Sequence, residues 1–246
     1  MRHLPPKKFN LIILLVITVS AAGLLVFKRY ITPDNQFFPE IKASRVVDTV
    51  PSHQEIFAAT PVNIVINTDV DTFDSHIDLQ KGSQEYPISI DRTKDSKTTL
   101  RGLIGKNLEE GTHLVKYSLD YTSSNYANGA NRRKGQFSFT IDSSKKADYK
   151  DLTGQKEVTI DMGNLKFSPD KIIISPGTKV NWVNKDSVEH FINTDPHPSH
   201  NYYPNQNSLD ISPTGNYAVT FTQVGEYPYH CSAHYPDGMT GRIIVQ

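Results

Sequence analysis

The chain has 246 residues, enough for about two domains at ~100–200 residues each. Its 26 basic side chains balance 26 acidic ones, so no net field favours nucleic acid or a polyanionic partner. A single cysteine, Cys231, excludes an intramolecular disulfide.

The N-terminal region opens with an uncharged apolar run from Phe9 to Phe27, long enough to cross a ~30 Å hydrocarbon core as a helix. Ser20-Ala21-Ala22-Gly23 would suit signal cleavage, but the run continues past it to Phe27, longer than a typical signal core. Residues 1–30 are therefore expected to be an uncleaved signal anchor. Arg2, Lys7 and Lys8 precede the span, and Lys28 and Arg29 follow it. The slight excess before the span places the N-terminus in the cytoplasm and the rest outside it, on a single-pass protein of the cell membrane. Exported chains usually pair their cysteines. An unpaired Cys231 then needs another use: metal ligation, a reactive thiol or burial.

Residues 31–46 read as a linker. From 47 to 142, strand signals recur at short intervals. Val62 to Asn67 alternates loosely. His113 to Tyr121 alternates clearly, with Leu114, Tyr117 and Leu119 as apolar candidates, and Phe137, Phe139 and Ile141 share one face. Strands at this spacing, with polar turns and no helical stripe, predict a β-sandwich. Residues 143–154 are polar and charged and mark the boundary between domains. A second strand series fills 155–246, with Ser175-Pro176-Gly177-Thr178 as a turn. The fold class expected is all-β, two sandwiches behind one transmembrane helix.

The chemistry concentrates near the C-terminus. Cys231, His234 and Met239 supply a thiolate, an imidazole and a thioether within nine residues, and His190 lies upstream in Val-Glu-His-Phe. One Cys, two His and a weak axial Met form the ligand set of a blue-copper site. Along Gly225 to Cys231, Tyr227, Tyr229 and Cys231 take one face, marked as the core side by its aromatics. Glu226, Pro228 and His230 take the other, so His230 turns away from its neighbour's thiol. Pro228 conflicts mildly with a strand interior. His234 lies past the strand end, where a loop can return it to the sulfur, and Pro236-Asp237-Gly238 can fold Met239 back. His190 follows a strand and a polar turn and is preferred as second imidazole over His197, His200 and His230. The pair His197-Pro198-Ser199-His200, beside Asp195 in what reads as an irregular exposed loop, is either two solvated histidines or a weak second copper or zinc site.

These residues carry a resemblance. Tyr227-x-Tyr-x-Cys-x-x-His-x-x-x-x-Met239 with an upstream His190, the run Phe167 to Asn184 and the ending Met239-Thr-Gly-Arg-Ile-Ile-Val resemble the cupredoxins of the plastocyanin, pseudoazurin and amicyanin type. The resemblance covers about 157–246. It implies a Greek-key β-sandwich with one type 1 copper per chain, His190, Cys231 and His234 as equatorial ligands and Met239 as axial ligand. Phe191, where relatives often carry a small polar residue, and the long loop after Asn193 depart from it. The stretches Leu108 to Tyr117 and Gly135 to Ile141 resemble, more distantly, bacterial Ig-like domains of copper-resistance proteins. That family's copper-binding histidines have no counterparts here: His53, His76 and His113 read as structural or solvated.

The function expected is a membrane-anchored extracytoplasmic type 1 copper protein passing single electrons between membrane-associated or extracytoplasmic redox proteins, with no nucleic-acid partner. The alternative is copper storage, delivery or tolerance. No enzymatic role is expected, because a copper oxidase would flank the blue-copper Cys with His on both sides and here His230 and Ser232 flank it.

Overall fold

The computed structural model describes residues 38–43, 45–70, 75–91, 97–122 and 130–246. The expected membrane span falls outside them. Among the described residues no helix is long and apolar enough to cross a membrane. All of them belong to one unit, Ile31–Gln246, built as two β-sandwiches.

The first sandwich contains β1 (Val46–Val50), β2 (Glu55–Phe57), β3 (Asn63–Thr68), β4 (His76–Lys81), β5 (Gln84–Tyr86), β6 (Ile88–Asp91), β7 (Thr99–Ile104), β8 (Gly111–Thr122) and β9 (Ala130–Ile141). Its sheets have the orders β1-β3-β7-β6 and β2-β9-β8-β4-β5. Alternation works as expected in the long β8–β9 hairpin. Phe137, Phe139 and Ile141 meet Val115, Tyr117 and Leu119 in the core. Leu114 is one residue out of phase with these, on the opposite face of β8.

The second sandwich contains β10 (Lys150–Asp151), β11 (Glu157–Gly163), β12 (Lys166–Ser168), β13 (Lys171–Ile174), β14 (Thr178–Asn184), β15 (Asn193–Thr194), β16 (Asn216–Phe221), β17 (Gly225–His230) and β18 (Thr240–Val245). Its sheets are β12-β11-β14-β16 and β10-β13-β18-β17-β15. The parallel pairs β11–β14 and β13–β18 arise because the chain crosses from sheet to sheet between them. Trp182, Phe221, Tyr227 and Tyr229 are fully buried between the sheets. Each such side chain contributes roughly 1.5–3 kcal/mol of hydrophobic stabilisation. Of the polar stretch 143–154, Ser143–Asp148 forms a short 3-10 turn and Lys150–Asp151 pairs with β13, so the second sandwich begins inside the segment expected to be a linker.

The sandwiches pack through a seam along β3. All six of its residues are buried. Ile64 and Ile66 enter the first core, while Val65, with Val50 and Val62, packs into the second. The loose alternation of this strand has that cause: both faces are covered. On the second face, Asn63 Nδ2 donates to the Tyr202 carbonyl at 2.9 Å and Arg101 Nη1 donates to the same carbonyl at 2.7 Å. Further along the seam, buried Glu226 of β17 accepts from the Ala59 backbone, the Tyr149 hydroxyl and Arg242, whose other nitrogen donates to Glu55 of β2.

Candidate metal centre

Cys231 directly follows β17 on the core side, fully buried. Its backbone N–H donates to the Met239 carbonyl at 3.0 Å, and the Met239 N–H donates to the His234 carbonyl at 3.2 Å. These two bonds close the loop between them, helped by Gly238 at φ +79°. His234 ends a 3-10 turn, Ser232–His234, that brings its ring back beside the thiol. The Sγ–Nδ1 distance is 3.3 Å. Met239 is buried in the same core cluster as Cys231.

His190 arrives from the other side. The turn after β14 runs into an isolated bridge between His190 and Ile211, which fixes the backbone. The ring is fully buried, with Nδ1 3.6 Å from Cys231 Sγ and its centroid 4.9 Å from that of His234. Nε2 lies 2.9 Å from Asp186 Oδ2. Burial alone would raise the Asp186 carboxyl. The N–H groups of Leu165 and Asn164, together with His190, outweigh it and hold the carboxyl below its usual range. An ionised carboxylate only accepts, so the proton sits on Nε2 and the Nδ1 lone pair faces the sulfur. The Phe191 N–H points at Sγ from 3.4 Å. It is a backbone donor, so the unusual side chain at 191 does not remove it.

A thiolate and an imidazole nitrogen sharing one ion at ~2.0–2.3 Å lie roughly 3.5 Å apart. The two observed separations bracket that value. With one sulfur, two oriented imidazoles and a neighbouring thioether residue, the donor set fits copper. The sequence did not single out Asp186 or the Phe191 N–H. Asp186 could have been suspected from its position in the polar turn four residues before His190.

His230 does turn away from the thiol, as alternation requires, yet it is not at the surface. It is fully buried, with Nδ1 2.7 Å from Asp195 Oδ1. Pro228 is tolerated because it lies just beyond the two-residue pairing of β17 with β15, on a nearly open edge. The loop carrying His197 and His200 has no regular strand, and His197 is exposed in it, but hydrogen bonds hold it. His200 N–H donates to the Pro196 carbonyl, Tyr202 N–H to the Asp195 carbonyl, and Asn207 Nδ2 to the His200 carbonyl at 2.7 Å. Tyr202, fully buried, pins it to the seam through its hydroxyl, which bonds Val62 and Glu226 backbone groups. Among the first sandwich's histidines, His53 Nδ1 accepts the Ser138 N–H, His76 pairs with Asp78 at the surface and His113 is buried.

A β-sandwich that encloses one thiol and two imidazoles at its end defines a metal-binding domain. Residues 154–246 match the copper binding proteins, plastocyanin/azurin family. Plastocyanin of Nostoc punctiforme is 33% identical over 103 residues, covering 38% of this chain and 74% of its own length. Chloroplastic plastocyanin of Chlamydomonas reinhardtii is 35% identical over 94 residues, covering 35% of this chain; the chain spans 62% of that relative's length. A Cu(I) amicyanin variant aligns with a TM-score of 0.31 at 20% identity, over 37% of this chain and 83% of its own, and the assignment does not rest on it. The chain belongs to the plastocyanin/azurin family of copper-binding proteins through its second sandwich.

Proposed function

We propose that this protein is a one-electron carrier of the extracytoplasmic face of a membrane, held there by the apolar run 9–27, and that it is not a catalyst. The observation that carries the reading is the placement of Cys231 Sγ 3.3 Å from His234 Nδ1 and 3.6 Å from His190 Nδ1. His190, Cys231, His234 and Met239 would hold the metal. Copper bound there supplies a one-electron couple.

The chain's own residues do the rest. Packing of Trp182, Phe167 and Tyr229 around β17 holds the thiol, and Asp186 holds His190, so the donors keep one arrangement. A fixed donor set lowers the reorganisation that accompanies electron transfer. The Phe191 N–H bond to Sγ withdraws electron density from the sulfur and favours the reduced state. His190, Cys231 and Met239 are buried, whereas His234 is partly exposed, so its ring edge is the point of exchange with a redox partner. Such partners are proteins of the same membrane or compartment, and anchoring raises their effective concentration. The first sandwich is read as the Ig-like module that the resemblance implies.

The test is reconstitution of the soluble part, residues 38–246, with Cu(II). An intense thiolate-to-copper absorption band and a type 1 EPR signal, both lost in Cys231→Ser, are expected. A spectrum without the band, or a band that survives Cys231→Ser, overturns the reading. Fast self-exchange supports the carrier, and ready release of copper to a chelator supports storage or delivery instead.

A further inference from the structure

The face of β17 opposite the thiol carries a second cluster. His230 Nε2 is buried and has no hydrogen-bond partner. The ring is oriented from behind by Asp195 on Nδ1. His197 and His200 close around it, with ring centroids 5.4 Å and 5.1 Å from that of His230. His197 Nδ1 lies 3.2 Å from His200 Nε2, and one nitrogen from each of the three rings falls within 4.8 Å of the others. Two nitrogens bound to one tetrahedral ion at ~2.0–2.1 Å are ~3.3 Å apart. Ser232 Oγ also lies 3.0 Å from His200 Nε2 and competes for that nitrogen.

Three imidazoles brought nitrogen to nitrogen are costly unless something shares their lone pairs. A buried nitrogen left unpaired costs roughly 1–3 kcal/mol. The arrangement is also built rather than incidental. Asp195 supplies the carboxylate behind a ligating imidazole that metal sites use to fix tautomer and orientation. Tyr202, Asn207 and the Pro196 carbonyl hold the loop that carries the other two rings.

We propose that His197, His200 and His230 form a second metal site for a divalent ion of the Zn2+ or Cu2+ class, with Asp195 as positioning residue and one coordination position left to water. His230 and Cys231 are consecutive, so a single peptide unit separates a ligand of this site from the thiol of the copper centre. The proposal stands independently of the carrier reading.

Co2+ titration of the residue 38–246 chain separates the two sites by spectrum. The Cys231 site gives a thiolate-to-cobalt band in the near ultraviolet. The three-histidine site gives only weaker visible ligand-field bands. Two equivalents are expected for the parent protein, and one for His197→Ala/His200→Ala, which keeps its thiolate band as proof of folding. Cys231→Ser is expected to retain the equivalent that lacks a thiolate band. His197→Ala, at an exposed position, is expected to weaken the second equivalent at least tenfold. A parent stoichiometry of one, or a second equivalent that survives the double substitution, overturns the proposal. Loss of the thiolate band with the second equivalent intact would sink the copper-centre reading and leave this one standing.

Discussion

Glu226 Oε2, on β17 of the second sandwich, accepts the backbone N–H of Ala59, in the first, at 2.9 Å. The same carboxylate takes the Tyr149 hydroxyl at 2.8 Å and Arg242 Nη1 at 2.8 Å. It is completely buried. Glu226→Ala leaves Arg242 with only Glu55 and strands two donors. Removing one member of a buried ionic group costs about 3–5 kcal/mol. Denaturant unfolding followed by Trp182, the chain's one tryptophan, is expected to show a loss in that range. A loss below about 1 kcal/mol would mean that the seam does not depend on this carboxylate.

Asp186 acts on the copper centre through His190. Asp186→Ala removes the acceptor on Nε2 and frees the imidazole to rotate and change tautomer. Outer partners of this kind are worth about 10–100-fold in metal affinity. Competition against a copper chelator should show that weakening, with the thiolate band retained. Unchanged affinity would assign His190 orientation to the Ile211 bridge alone.

His113 gives the first sandwich an acid sensitivity. Burial lowers its imidazole from the usual 6.5 to about 4, only partly opposed by the Gly111 carbonyl. The ring stacks on Phe139 with centroids 5.5 Å apart, and Tyr86 meets its edge. The folded state resists the proton that the unfolded chain accepts. The stabilisation is therefore complete above pH ~6.5 and is lost as pH falls toward ~4, by up to about 3 kcal/mol. Between pH 7 and pH 4 the unfolding free energy of the parent should fall by up to about that amount more than that of His113→Leu. Parallel curves would refute the assignment.

Gly241 faces Tyr229 across β17 and β18, and a Cβ at 241 would overlap the tyrosine ring. That ring also packs against Phe167 and Trp182 beneath the metal site. Gly241→Ala is expected to cost about 1–3 kcal/mol by overpacking. Thermal unfolding of the two proteins decides it: an unchanged midpoint would show that the ring has room to move.

Strand alternation in the sequence separated Cys231 from His230, and the structure puts the two side chains on opposite faces of β17. What lies on each face was less readable. Alternation says which way a side chain points but not what covers it. It turned His230 away from the thiol but did not show that the ring is sealed under the His197–His200 loop. Val62 to Asn67 looked ambiguous for a related reason: Val65 and Ile66 are both apolar because each meets a different core. Asp186 shows in the sequence only as a polar turn residue four before His190; what fixes its carboxylate is a hairpin turn, Asn164-Leu165, that is remote in sequence and adjacent in space. The apolar run 9–27 lies outside the described residues, and its role rests on sequence alone.

All six residues of β17 are buried, although its inward and outward faces meet different neighbours. Tyr227 and Tyr229 fill the core, Glu226 joins the seam, and His230 belongs to the three-histidine cluster. In a saturation library this strand should emerge as a stretch where almost every exchange is rejected. The reasons would differ by position: volume at the tyrosines, charge at Glu226, coordination at His230. A change tuned for one neighbour would be constrained by the other two, so variation in this protein should collect in the loops rather than in the strand that leads to the thiol.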